Sequence, residues 1–292
     1  MTDTTLNPRK KANFKGDIKM ASVYKIVTER IIEKLKQGEI PWRKPWNSYP
    51  AVNWVTQKPY RGVNKLLLDP GEYITWNQFQ AAKGKVKKGA KSNIVVFFKM
   101  QNVKNKDTGE EDIYPVLRYY RVFNIKDCEG IESKMKVETF EHDPVEEAEK
   151  IVEGYPAGPQ ITFAPGRAFY RPSDDIVSIP EKTDFEKVEE YYSTFFHELV
   201  HSTGHKRRLG RPGVKEVAAF GSHEYSKEEL VAEIGSAMLC GVAGIEQVTL
   251  DNSAAYIQSW LKALKNDERM IVSAAGQAQK AADYILGRVE SE

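Results

Sequence analysis

At 292 residues and 41% hydrophobic content, the chain can hold one large or two modest domains with real cores. No apolar run approaches a membrane span, the start MTDTTLNPRKK lacks the apolar region of a signal peptide, and two distant cysteines, Cys128 and Cys240, exclude a disulfide framework, so a cytoplasmic protein with no membrane partner is expected. The net charge of +2 hides a split between residues 1–128, with 25 Lys and Arg against 12 Asp and Glu, and residues 129–292, with 18 against 29. Such asymmetry points to a nucleic-acid-binding module joined to an acidic one.

Residues 1–18 carry Arg9, Lys10, Lys11 and Lys15 and read as a disordered basic arm. Val23, Ile26, Val27, Ile31, Ile32 and Leu35 recur at helical spacing, which predicts an amphipathic helix from about Met20 to Gln37, ended by Gly38. The next segment, Ile40 to Trp46, is too rich in proline for helix and too aromatic for an idle linker. Trp42, Trp46, Trp54 and Trp76 are interleaved with Arg43, Lys44, Lys58, Tyr60 and Arg61. Rings on which unpaired bases stack, beside cations that follow phosphates, fit single-stranded nucleic acid better than duplex, which hides its base faces. Any one of these tryptophans equally reads as core.

A Gly/Lys loop from Ala81 to Lys91, with Lys85, Lys87 and Lys88, adds phosphate-directed charge. Strands at Asn93–Lys99 and Pro115–Asn124, with the turn signal Asp107-Thr108-Gly109 between them, predict a hairpin with a basic, aromatic face that includes Arg118 and Tyr120. The basic domain is placed at 19–128. Residues 129–149 are polar, acidic and aromatic-poor, and read as a linker.

In the remaining part, 150–292, a short strand at Ile161–Phe163 and a hairpin over Ala168–Ile179 precede a helical pattern from Phe185 to Gly204, with Thr183 and Glu186 as a capping box. This helix carries His197-Glu198-Leu199-Val200-His201. Residues four apart share a helix face, so the two imidazoles can grip one metal ion while Glu198 serves as general base. A catalytic metal usually has a third protein ligand. His205 follows Gly204 too closely for the metzincin spacing. Glu229 is the better candidate: it lies on a second predicted helix, over Lys227–Leu239, with Glu233 one turn later on the same face. The pair resembles the gluzincin arrangement, which implies that Glu229 binds metal and Glu233 accepts a hydrogen bond from His197 or His201; Glu228 points elsewhere and is the fallback ligand. Tyr225 and His223, just before this helix, are candidate oxyanion stabilisers. Zn²⁺ suits the His, His, Glu set best, with Mn²⁺ or another divalent ion as alternatives. Helices at Ala254–Leu264 and Ser273–Leu286 close the fold, with Trp260 and Tyr284 in its core.

Taken together, Gly38–Trp46, Tyr60-Arg61-Gly62-Val63-Asn64, the ITWNQF run at Ile74–Phe79, Arg121–Asn124, the HELVHSTGH run and the EELVAEIGSAML run resemble the ArdC-like antirestriction proteins of conjugative plasmids and integrating elements. The resemblance spans about Tyr24 to Leu286. It implies an α+β protein of two domains, one that binds single-stranded DNA followed by a zincin-like metallopeptidase domain, which shields incoming DNA from restriction. Carried over by motif, His197, His201 and Glu229 are the metal ligands, Glu198 the general base, and Trp42, Arg43, Trp46, Tyr60, Arg61 and Asn64 lie in the DNA-binding half. Two functions stay open at this point: a DNA-binding shield, and a DNA-localised metallopeptidase that cleaves a protein substrate.

Overall fold

A computed structural model describes residues 14–43, 50–104, 111–135, 143–215, 222–245 and 254–288. The chain opens with helix α1 (Phe14–Lys36) and runs through β1 (Ala51–Asn53), α2 (Val63–Leu67), β2 (Gly71–Thr75), α3 (Trp76–Ala81), β3 (Lys85–Val86), β4 (Asn93–Lys104), β5 (Glu111–Asn124) and β6 (Cys128–Glu129). Then follow α4 (Pro144–Glu153), β7 (Gln160–Phe163), β8 (Phe169–Arg171), β9 (Ile176–Ile179), α5 (Val188–Thr203), α6 (Pro212–Lys215), α7 (His223–Ala243), α8 (Ala254–Asn266) and α9 (Met270–Ile285). The fold is therefore mixed α and β, as expected.

The amino-terminal sheet has strand order β1-β2-β5-β4, with β4 and β5 paired antiparallel out to Lys104 opposite Glu111. The turn signal at 107–109 lies outside the described residues. Val23, Val27, Ile31 and Leu35 are buried along one stripe of α1, which packs on β5 and on α8 and α9. Helix α1 begins at Phe14, inside the stretch read as an arm, because Lys15, Lys19 and Met20 favour helix. Residues 1–13 lie outside the described part.

The main core ignores the charge boundary. Trp42, Val63, Leu66, Ile94 and Leu117 share one buried cluster with Phe196, Leu230, Leu261 and Ala274. The linker is also less idle than its composition suggests. Residues 131–135 dock on β2, where buried Glu72 accepts from Ser133 Oγ and the Lys134 backbone N–H. Helix α4 begins within it, at Pro144, because Asp143 caps two backbone N–H groups.

In the carboxyl half, a sheet of order β7-β9-β8 lies against α5 through β8 and β9. The capping box expected at Thr183 does not form. Lys182–Asp184 make a single 3₁₀ turn, and Phe185 turns to extended backbone to pack edge-on against Tyr191. Helix α7 starts four residues before its predicted start, because Ser222 Oγ accepts the Tyr225 N–H, and it ends at left-handed Gly244. Gly235 lets α7 approach α5 closely: a side chain there would meet Val200 Cγ2 at 2.8 Å. That contact brings Glu229 up to the two histidines.

Candidate metal centre and nucleic-acid face

His197 and His201, one turn apart on α5, present their Nε2 atoms 3.1 Å from each other. Glu229 on α7 approaches both, with Oε2 3.6 Å from His197 Nε2 and Oε1 3.6 Å from His201 Nε2. Donor atoms around a tetrahedral ion with bonds near 2.0–2.1 Å stand roughly 3.4 Å apart. The observed separations match that figure, so these three residues fit a divalent ion. They are the one such cluster found among the described residues.

The electrostatics also favour a cation. Burial works to lower the His197 pKa, but the hydrogen bond to Glu229 and the charges of Glu198, Glu233 and Glu229 outweigh it and raise it to about 9. Glu229 shows the converse. Burial would raise it, yet His197, His201 and the Tyr225 hydroxyl bring it down to about 2.

The neighbours partly redistribute the expected roles. Glu228 does not point elsewhere: it is buried, and His201 Nδ1 stands 3.3 Å from its Oε1. Hydrogen bonds from His201 and Arg211 outweigh the upward push of burial and lower the Glu228 pKa. The buried Arg211 guanidinium holds the Glu228 carboxylate against the last turn of α5, alongside Glu229. Glu233 is close enough to His197 to raise its pKa by charge. Tyr225 donates its hydroxyl to Glu229, and burial raises its own pKa, with Glu229 adding to the shift. His223 is exposed, and its ring faces Glu224 and Asp267 rather than the histidine pair. His205 is buried against Asp175, 3.7 Å away, and takes no part in the cluster.

The amino-terminal candidates divide sharply. Trp42 is fully buried, edge-on to Trp260 at 5.8 Å between ring centroids, with Nε1 donating to the Tyr256 hydroxyl at 3.4 Å. It is core, not a stacking platform, because the segment that carries it plugs the joint between the halves. Lys44, Trp46 and the Arg43 side chain lie outside the described part. The Tyr60–Asn64 motif is a clasp. Arg61 donates to buried Asp283 of α9, the Gly62 N–H donates to Gln279 Oε1 at 3.3 Å, and the Asn64 amide exchanges two hydrogen bonds with the Val96 backbone, at 2.9 and 2.6 Å. Tyr60 sits edge-on to Tyr73. The fold thus uses the Asn64 amide and one end of the Arg61 guanidinium, whose side chain stays half exposed.

Other candidates do face solvent. Lys85, Lys87 and Lys88 are exposed, although Lys87 Nζ donates to the Lys126 carbonyl at 2.8 Å. Trp76 is 50% exposed and stacks on Phe79 with 5.7 Å between centroids. On β4 and β5, Phe97 pairs with Arg118 and Val95 with Tyr120, so Phe97, Arg118 and Tyr120 share one face. Phe97 and Tyr120 meet edge-on at 6.5 Å, and Lys99 follows on the same side. Phe98 and Tyr119 are exposed on the other face. Phe97 and Phe98 are not singled out by the sequence, because an apolar run such as NIVVFFK is compatible with a buried strand.

Residues 21–123 match the family described as the N-terminal domain of anti-restriction factor ArdC, and residues 146–277 match zincin-like metallopeptidase. A metal-free crystal structure of the antirestriction protein ArdC from the R388 plasmid is 34% identical, with a TM-score of 0.71 over 90% of this chain and 96% of that one. The chain belongs to the ArdC family. The Mn(II)-bound structure of that ArdC gives the same identity and TM-score over 91% and 97%. The uncharacterized protein y4eC of Sinorhizobium fredii is 34% identical over 90% of this chain and 91% of its own length. A DNA primase TraC of Escherichia coli is 35% identical over 90% of this chain, and a second is 36% identical over 89%. The ArdC-like chain spans only 20% and 26% of those two primases. The ArdC match and the three-donor cluster together support a divalent-metal centre. No described helix is long and apolar enough to cross a membrane.

Proposed function

We propose that the chain is a single-stranded-DNA-binding antirestriction protein of a mobile element, which carries Zn²⁺, Mn²⁺ or another divalent ion on His197, His201 and Glu229. The observation that carries the DNA reading is the exposed face of β4 and β5, where Phe97 and Tyr120 stand beside Arg118. Large apolar rings left in solvent next to a guanidinium cost solubility unless a partner covers them, and unpaired bases with their phosphates fit both features. Trp76 and the lysines 85, 87 and 88 are also exposed and add basic and aromatic groups to the surface of the amino-terminal part. We place the functional division near the charge boundary, with a DNA-binding part up to about residue 128 and a metal-binding part from about 150.

A second reading, metal-dependent cleavage of a protein substrate, is favoured by the presence of Glu198 beside the ligand set. A bound divalent ion would supply Lewis-acid polarisation of a peptide carbonyl. Glu198 removes a proton from the attacking water and returns it to the departing amine. Tyr225, already bonded to Glu229, offers a hydroxyl for the oxyanion.

One experiment separates the readings: protection of transferred DNA from restriction, compared for Glu198→Ala and for Phe97→Ala with Tyr120→Ala. The shield reading expects protection to survive the first change and fail with the second. Loss of protection in Glu198→Ala, with DNA and metal binding intact, would make hydrolysis the function.

A further inference from the structure

Behind the histidine pair lies a charged group that the hydrolytic chemistry does not use. Arg211, just before α6, is 4% exposed, unusual for a residue rich in hydrogen-bond donors. Its Nε donates to Glu228 Oε2 at 2.9 Å and its Nη2 to Glu228 Oε1 at 2.6 Å, a paired contact with one carboxylate. Its remaining donors reach the Thr203 hydroxyl at 2.5 Å and the Val200 carbonyl at 2.8 Å. The guanidinium is thus bound to the last turn of the metal helix at one end and to α7 at the other. Two glycines make the room. A side chain at Gly204 would meet Val214 at 2.5 Å and Arg211 Nη2 at 3.1 Å, and one at Gly213 would meet Glu228 Cβ at 3.1 Å.

The oxygen that accepts from Arg211 Nη2, Oε1, also meets His201 Nδ1 at 3.3 Å. An ionised carboxylate only accepts, so Nδ1 carries the proton, and the neutral ring then presents its lone pair on Nε2. Nε2 is the atom that faces His197 and Glu229. The tautomer needed to bind metal is therefore set from behind, by a carboxylate that is itself held by a buried guanidinium.

We infer that Arg211 and Glu228 form a positioning brace that locks the Nδ1–H tautomer and ring orientation of His201 and so sets how tightly the site holds a divalent ion. This rests on the reading of His197, His201 and Glu229 as the ligand set. Glu228 acts through His201, and Arg211 acts through Glu228. Groups that orient a ligating imidazole typically contribute 10–100-fold to metal affinity.

The test is Zn²⁺ affinity of the full chain, by competition with a chromophoric chelator, for the unsubstituted protein, Glu228→Gln, Arg211→Met, the double variant and His201→Ala. The two single changes are expected to weaken Zn²⁺ binding about 10–100-fold. The double variant should resemble either single one, because the residues act as a unit. In Co²⁺-loaded protein, Glu228→Gln should also alter the visible absorption bands, which a merely structural role would leave alone. Affinities within about twofold of the unsubstituted protein for both single variants, with binding abolished in His201→Ala, overturn the brace but keep the ligand set. Unchanged binding in His201→Ala overturns the ligand set and the brace with it. Should a single variant fail to fold, ¹⁵N resonances of the His201 ring in the unsubstituted metal-free protein decide. A proton on Nδ1 supports the brace, and a neutral ring protonated on Nε2 alone overturns it.

Discussion

Arg61, from the amino-terminal half, donates to the buried carboxylate of Asp283 on α9 near the other end of the chain. Gln279 Nε2 also donates to Asp283, at 3.1 Å, so this carboxylate gathers donors from both halves. The Arg61 side chain is half exposed, which screens the pair and limits its worth. Arg61→Ala is expected to destabilise the fold by about 1–3 kcal/mol, mainly by leaving Asp283 short of a donor. Single-stranded DNA affinity of the folded variant should stay within about twofold. Denaturant titration and anisotropy check the two halves of this prediction, and a large affinity loss without destabilisation would contradict it.

The buried and the exposed aromatics should separate cleanly. Trp42→Ala removes a fully buried ring and is expected to cost about 3–5 kcal/mol of stability. Trp76→Ala and Tyr120→Ala should leave stability within about 1 kcal/mol. Each should weaken single-stranded DNA binding by about 1–3 kcal/mol if it stacks a base. Arg118→Ala should lower the slope of log affinity against log salt by about 0.7, the value for one phosphate contact on a single strand.

Metal binding should stabilise the carboxyl half. Added Zn²⁺ or Mn²⁺ at about 100 times its dissociation constant is expected to contribute about 2.7 kcal/mol, read as a rise in Tm that chelator reverses. Glu198→Ala should keep this rise and His201→Ala should lose it. A rise retained in His201→Ala would place the ion elsewhere.

Asp175 supplies a pH-dependent element away from the metal ligands. Burial would raise its pKa, but Arg208 and the Tyr170 hydroxyl outweigh it and hold it below 3.8. A carboxylate with a depressed folded pKa contributes stability that is present above the unfolded value and lost as pH falls through the folded one. Asp175→Asn should therefore flatten the loss of stability with acid below about pH 4 and lower stability at neutral pH. Acid denaturation monitored by circular dichroism reads both effects.

Much of the metal site is legible in local spacing. His197 and His201 are one turn apart on a strongly patterned helix, and the Glu229/Glu233 pair sits on a second one. The partner of His201 is not legible, because Glu228 reaches it only once Gly235 lets α7 close on α5 and Arg211 folds in beside it. Arg211 lies in a loop whose sequence, RLGRPG, reads only as a turn. In the basic half, composition marks the hairpin face but cannot tell a buried ring from an exposed one. Trp42 and Phe97 are both aromatic and both near cations, yet tertiary packing buries the first and leaves the second in water. Arg61 and Asn64 stand in a distinctive motif, and the fold itself uses the Asn64 amide and one end of the Arg61 guanidinium.

The most direct test of the account is fluorescence anisotropy with a labelled oligonucleotide, single-stranded and as duplex, for the unsubstituted protein and for Phe97→Ala with Tyr120→Ala. Tighter binding to the single strand, weakened by added salt, is predicted, with about a 30-fold or greater loss in the double variant, the fold-change for two stacked bases at about 1–3 kcal/mol each. Equal affinity for single strand and duplex, unchanged in the double variant, would contradict it.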